Sequence, residues 1–171
     1  DAKRPFKVII NGVHITALGT RFNVASYPDD NDIEIVLEEG KLAINKAEEK
    51  QSLLINPNDL LIYNKISQSY SVKKVNPQKY LSWTKGILIF RNDPLDVIAR
   101  KLERWYNVDI DIVADNKEEI RLRATFTDES LEEILYFLKK SLPIDYTIEE
   151  GQLVGCNIYR KKKIKIINRN Y

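Results

Sequence analysis

The sequence predicts an α+β chain in two domains, an all-β part over residues 1–78 and a tandem β-α-β repeat over residues 79–171. Three observations lead there. Short β-prone runs divided by turn residues fill the first part. Helical periodicity of useful length begins only past Trp83. A strand–helix–strand pattern starting at Phe90 then recurs from Phe126. With 171 residues, 43% of them hydrophobic, the chain can build a packed core and is not a disordered segment.

In the first part the β-prone runs are Phe6–Ile10, Val13–Ala17, Arg21–Tyr27, Asp32–Leu37, Lys41–Asn45, Ser52–Ile55, Leu60–Tyr63 and Tyr70–Val75. Between them stand Asn11-Gly12, Gly19, Pro28-Asp29-Asp30-Asn31, Gly40 and Asn56-Pro57-Asn58-Asp59, residue types that turns require. Ile33, Ile35 and Leu37 alternate with Asp32, Glu34 and Val36, which predicts a strand with one buried face. An antiparallel sandwich or a short rolled sheet fits this pattern. Residues 76–82 are the expected junction, because Pro77 lacks a backbone donor and disfavours both ladder and helix.

In the second part Asp93 is the expected helix N-cap, with Pro94 at the first helical position. Leu95, Ile98, Leu102 and Tyr106 fall on one helical face, and Val108, Ile110 and Ile112 return at period two. Aligning Phe90 with Phe126 sets Leu95 on Leu131, Ile98 on Ile134, Leu102 on Leu138, Val108 on Ile144 and Ile112 on Ile148, without a gap. Ser130 and Glu133 form a capping box for the second helix. What repeats is the core face and the caps. Two β-α-β units sharing one small sheet, with both helices on one face, are therefore expected. Asp93 and Asp96 have ordinary work at a helix N-terminus, and Asp109 and Asp111 are the solvent side of a strand.

Little catalytic chemistry is available. The one histidine, His14, lies in an alternating run and reads as the solvent side of a strand, so a His-based triad or His-rich metal site is excluded by count. The one cysteine, Cys156, excludes an internal disulfide and has no histidine beside it to activate it. The six glycines form no phosphate-binding loop. No cofactor, metal site or catalytic residue is assigned, and the expected protein is not an enzyme. Lys+Arg is 27 against Asp+Glu 25, a net charge of +2, too balanced to argue for nucleic acid from bulk charge, and no nucleic-acid partner is expected. The basic run Arg160–Lys165 reads as a turn leading into a strand whose lysines are solvated and blunt a sheet edge. No apolar run approaches the roughly 20 residues of a membrane span, and no signal peptide opens the chain. The start at Asp1 and the lack of methionine are expected of an excised or processed segment.

Candidate contact residues are sought where the repeat departs from itself. Arg100, Lys101 and Arg104 become Tyr136, Phe137 and Lys140, and Tyr136 is expected on the outward side of the second helix with Glu132, Glu133, Lys139 and Lys140. Trp83, Trp105 and Tyr106 are large aromatics near the junction, read first as core and second as contact surface. The partner-binding candidates are Trp83, Arg104, Trp105, Tyr136 and Lys140.

The residues Leu18-Gly19-Thr20-Arg21-Phe22-Asn23-Val24 with Tyr27, followed by Glu38-Glu39-Gly40-Lys41-Leu42, resemble the β-domain of FecR-type anti-sigma factors. The stretches 83–90, Asn92-Asp93-Pro94-Leu95 and 102–108 resemble the domain that follows it in the Bacteroidetes branch, and Phe126, Ser130–Glu133 and Leu142-Pro143-Ile144 continue the likeness. Where that family often has Pro-Gly, this chain has Pro57-Asn58, and asparagine tolerates the left-handed turn conformation. The resemblance implies the periplasmic region of a single-pass inner-membrane protein. It implies that this region receives a signal from the N-terminal signalling domain of an outer-membrane TonB-dependent transporter. The signal would pass to an extracytoplasmic-function sigma factor through a cytoplasmic region not in this chain. Sheet-edge pairing is the docking mode to expect between such small folds. The alternative reading is a cell-envelope module that binds a glycan or small ligand without catalysis, through the β-domain surface and the Trp83 and Trp105 region.

Overall fold

In the computed structural model of the chain, residues 5–46, 52–114, 117–154 and 158–169 are described. The chain is α+β and divides into two compact units, Asp1–Lys85 and Gly86–Tyr171.

Turn chemistry organises the first unit. Its strands are β1 (Phe6–Ile10), β2 (Val13–Ala17), β3 (Arg21–Ser26), β4 (Asp32–Glu39), β5 (Leu42–Lys46), β6 (Leu53–Ile55), β7 (Asp59–Asn64) and β8 (Tyr70–Lys74). Asn11 and Gly12 both take positive φ, 46° and 77°, the pair a two-residue hairpin between β1 and β2 needs. Asn58 takes φ 69° in the turn before β7, the left-handed conformation its position asks for. The strands form two four-stranded antiparallel sheets, ordered β1-β2-β5-β6 and β3-β4-β7-β8. Val13, Ile15, Leu42, Ile44 and Ile55 of one sheet and Ile33, Ile35, Leu37, Leu61 and Tyr63 of the other share a single core, so the unit is a β-sandwich.

After β8 the chain departs from expectation. Pro77 does not break structure; it is the N-cap of a one-turn helix α1 (Gln78–Leu81), which runs into a 3-10 turn at Ser82–Lys85. A proline ahead of the first turn costs nothing, because the N–H it lacks would have had no helical acceptor. Trp83 is correspondingly exposed, not core, and its indole N–H donates to Asn23 Oδ1 at 3.0 Å. Asn23 stands opposite Val36 in the ladder, so α1 and its turn lie against the outer side of β3.

The second unit holds β9 (Leu88–Pro94), α2 (Leu95–Tyr106), β10 (Asp109–Val113), β11 (Arg121–Phe126), α3 (Leu131–Ser141), β12 (Ile144–Glu149), β13 (Gln152–Val154), β14 (Ile158–Arg160) and β15 (Lys163–Asn168). The sequence repeat survives as β9-α2-β10 and β11-α3-β12, but the two copies do not share one sheet. Their first strands pair with each other, β9 antiparallel to β11. Their second strands flank β15, which runs parallel to β10 and antiparallel to β12. The expected edge strand of the basic tail is thus a central strand. Its Ile164 and Ile166 are fully buried, and Lys163 and Lys165 are exposed on the other face. Leu95, Ile98, Leu102, Leu131, Ile134, Leu135 and Leu138 from the two helices pack with these isoleucines in one core.

A second correction concerns Asp93. It is not the N-cap; Pro94 is, with no side-chain cap bond. Asn92 at φ 60° bulges the strand and turns Asp93 inward, where it is buried and its carboxylate accepts the Arg91 N–H at 3.0 Å. Lys101 Nζ lies 3.6 Å from the same oxygen, which offsets the buried charge.

Two outcomes test the first unit. A Cβ on Gly40, at φ 91°, would meet Thr20 Cγ2 at 2.6 Å and the Gly19 carbonyl at 2.7 Å. Gly40→Ala should therefore cost about 2–3 kcal/mol, measured as a lower urea midpoint. Asp59, almost fully buried, accepts the Asn56 N–H at 2.7 Å and pairs with Lys74 at 2.8 Å. The hydrogen bond from Lys74 holds its carboxyl below the ordinary carboxylate range, against burial, with help from the Asn56 amide. A lowered folded-state value means this stability is complete above the unfolded value of about 3.9 and is lost as pH falls through the lower one. Urea midpoints of the parent and Asp59→Asn should differ at neutral pH and approach each other in acid.

Candidate docking surface

Among the described residues, helix α3 presents the most exposed aromatic surface of the second unit. Its start is fixed by the capping box: Glu133 N–H donates to Ser130 Oγ at 3.3 Å, and the Glu133 carboxylate accepts the Ser130 N–H at 2.8 Å. With Leu131, Ile134, Leu135 and Leu138 committed to the core, helical spacing sends Glu132, Glu133, Tyr136, Phe137 and Lys140 outward. Tyr136 is 58% exposed and Phe137 41%. Phe137 stacks edge-on against Phe126 at 5.5 Å, and Phe126 against the buried Phe90 at 6.1 Å, so the exposed ring is backed by rigid core. Lys140 Nζ stands 5.3 Å over the Tyr136 ring, a cation–π contact worth about 0.5–1 kcal/mol at an exposed site.

Charge is graded along this helix. At its N-terminal end, Lys162 bonds to Glu132 at 2.6 Å and holds its carboxyl below the ordinary range. Glu133 is lowered mainly by the Ser130 backbone N–H. At the C-terminal end Lys139 pairs with Asp145 at 2.6 Å and lowers its carboxyl, and Lys140 stays exposed. The face reads acid, aromatic, base from start to end, in the sense the helix dipole favours.

The other candidates sit elsewhere. Trp105 is partly buried against the core, next to Arg104 in the last turn of α2, which ends at Asn107 in a left-handed cap. Beside it the Tyr106 hydroxyl donates to the Glu129 carbonyl at 2.6 Å; burial first, then the acidic residues Glu129, Glu132 and Glu133, push its ionisation up. Trp83 belongs to the first unit. The structure therefore brings Tyr136 and Lys140 into contact and sets Arg104 beside Trp105.

The basic run is largely neutralised within the chain. Lys161 lies 3.8 Å from Asp109, Lys162 bonds Glu132 and lies 3.3 Å from Glu150, and Lys163 lies 2.9 Å from Asp111. The outer face of the three-stranded sheet is a ladder of acid on β10, base on β15, and acid or threonine on β12. His14 is half-buried on β2, and Cys156 lies outside the described residues. Among the described residues no group of three or more His, Cys, Asp or Glu is placed to hold a metal. No helix among them is long and apolar enough to cross a membrane.

Sequence reasoning passed over Arg91, Arg121 and Arg123. They occupy the outer face of β9 and β11, with Arg91 directly opposite Arg123. The alternation of Arg121 and Arg123 with the buried Leu122 was the available signal.

Residues 87–154 match the family described as FecR, C-terminal. The whole chain is similar in structure to a candidate anti-sigma factor from Parabacteroides distasonis ATCC 8503, with TM-score 0.76 and 25% identity over 97% of this chain and 72% of that one. A second crystal structure of a candidate anti-sigma factor from the same organism gives TM-score 0.74 and 25% identity over 98% and 73%. No curated protein matches the sequence. With a FecR C-terminal match across most of its second unit, and this likeness along nearly its whole length, the chain resembles FecR-type anti-sigma factors, which supports a regulatory role in signal transduction.

Proposed function

We propose that the chain is a periplasmic relay. It receives a signal from the N-terminal signalling domain of an outer-membrane TonB-dependent transporter and passes it, by protein–protein contact, to an extracytoplasmic-function sigma factor. The sigma factor is engaged through a cytoplasmic region outside these residues, in a protein anchored in the inner membrane. The family supplies the regulatory role; the observation that carries the docking part is the face of α3. Tyr136 and Phe137 are exposed on a helix whose other side is fully committed to the core, with the Lys140 head standing over the Tyr136 ring. Rigid aromatics backed by core are the residue type that dominates binding energy at protein interfaces. Tyr136 fills no core site, so its ring is available to a partner.

Calorimetric titration with the signalling domain of a transporter encoded beside this chain tests the reading. Saturable binding is expected. Tyr136→Ala should weaken it about tenfold or more, as truncation of a central interface aromatic does. The same substitution should move the urea stability by no more than about 1 kcal/mol, the size of the contact with Lys140, because it empties no core site. Absence of saturable binding to any neighbouring transporter domain would count against the relay.

A further inference from the structure

The ribbon formed by β9 and β11 carries an unresolved electrostatic cost. Its outer face shows Ile89, Arg91, Arg121, Arg123 and Thr125. Arg91 and Arg123 are cross-strand partners, and like charges directly opposite each other destabilise a sheet. Arg91 donates only to neutral acceptors: the carbonyls of Phe90 and Ala124 and the hydroxyl of Thr125. Arg121 donates to the Asn92 carbonyl at 2.9 Å. None of the three forms an ion pair with a described carboxylate, Glu118 and Glu119 just upstream included. Several other basic groups of the unit do have acids: Arg100 with Asp96, Lys101 with Asp93, Lys139 with Asp145, and Lys161, Lys162 and Lys163 as above.

The sheet edges differ in the same sense. On the three-stranded sheet, the Glu103 carboxylate accepts the Ile110 amide of β10 at 2.8 Å, and the Asp145 carboxylate accepts the Tyr146 amide of β12 at 2.7 Å. Carboxylates so placed guard an edge against foreign strands. β11 pairs with β9 on one side and with no described strand on the other, and among the described residues no side chain accepts its amides.

We propose that β11 receives an acidic extended segment of a partner protein, added as a strand along its free edge. The proposal rests on reading the chain as a docking module and names the chemistry of what docks. Arg121 and Arg123 are two residues apart, about 6.7 Å along a strand, so carboxylates at alternate positions of an added strand match them one to one. A guanidinium presents a planar fork that takes a carboxylate through two hydrogen bonds. The main chain of the added strand supplies affinity and the arginines supply register and choice of partner. The outer face carries no aromatic ring on which a nucleic-acid base could stack.

The test is an NMR titration of the full chain with a short extended peptide alternating Glu with Thr, and with its Gln counterpart. Saturable shifts confined to Arg121–Phe126 are expected with the Glu peptide only. Arg121→Gln combined with Arg123→Gln should lower the affinity about tenfold or more. The unfolding midpoint of that variant should be equal to or above the parent's, since the opposed charges are gone. The proposal is overturned if the Gln peptide binds as well, if the variant keeps its affinity, or if its midpoint falls, which would mean that the arginines serve the fold. It is overturned too if phosphatidylglycerol vesicles or oligo-dT shift the same residues and the peptide does not. The transporter signalling domain separates the two readings. If it binds parent and variant alike, the arginine site fails and the relay stands; if only the acidic peptide binds, the relay fails and the arginine site stands.

Discussion

The second unit closes only when the last described strand of the chain enters its middle. β10 and β12 have no contact with each other in the sheet; each pairs with β15. Ile164 and Ile166 carry the closure, and full burial of such a side chain is worth about 1.5–3 kcal/mol. Take β15 away and β10 and β12 would have no ladder partner, leaving only two-stranded ribbons such as β9–β11, short of the three strands a sheet needs for independent stability. The pairing of β10 with β15 spans more than fifty residues of chain, so its loop entropy must be met before its contacts form, which favours slow folding of this unit.

That one strand also fixes the electrostatics. Strand alternation sends the isoleucines inward and, by the same geometry, Lys163 and Lys165 outward between the acids of β10 and β12. A basic run that stands out in the sequence is consequently spent inside the fold. Less conspicuous in the sequence are three arginines on the neighbouring ribbon that form no ion pair with a described carboxylate. The bulge at Asn92 contributes here. It turns Asp93 into the core toward Lys101, so the carboxylate closest in sequence to Arg91 takes its backbone N–H and leaves its guanidinium without an acid.

Much of the first unit was legible because each of its strands is bounded by residues with a single conformational use. Asn11-Gly12, Gly40 and Asn58 all stand at positive φ, and all eight β-prone runs become strands. The α3 cap was legible for the same reason, since Ser130 and Glu133 satisfy each other locally. The failures are non-local. Nothing near Asp93 tells that Asn92 will bulge and that Lys101 waits one helical face away. Nothing near Lys163–Ile166 tells an edge from a centre, because a strand with one apolar face reads alike in both places; the difference lies in β10 and β12, far off in the chain. Pro77 was misread because its effect depends on whether a helix follows it or surrounds it. Trp83 and Trp105 carried the same local signal, and only the fold separates an exposed indole bonded to Asn23 from one packed on the core.

The candidate surfaces follow from that same separation between local and non-local demands. On α3, Leu131, Ile134, Leu135 and Leu138 fill the core and Phe137 packs on its rim against Phe126, so Tyr136 is the aromatic that packing does not require. On β11, Leu122 and Phe126 satisfy the core, and the alternate positions could hold any solvated residue, yet two of them hold Arg121 and Arg123, the latter set opposite Arg91. A regulator that works by contact needs surface groups whose free energy is recovered only when a partner arrives. Aromatics backed by core meet that need through desolvation, and unpaired guanidinium groups meet it through charge. The two are complementary in kind: at protein interfaces charge acts mainly on register and the rate of encounter, and buried aromatic area mainly on the lifetime of a complex.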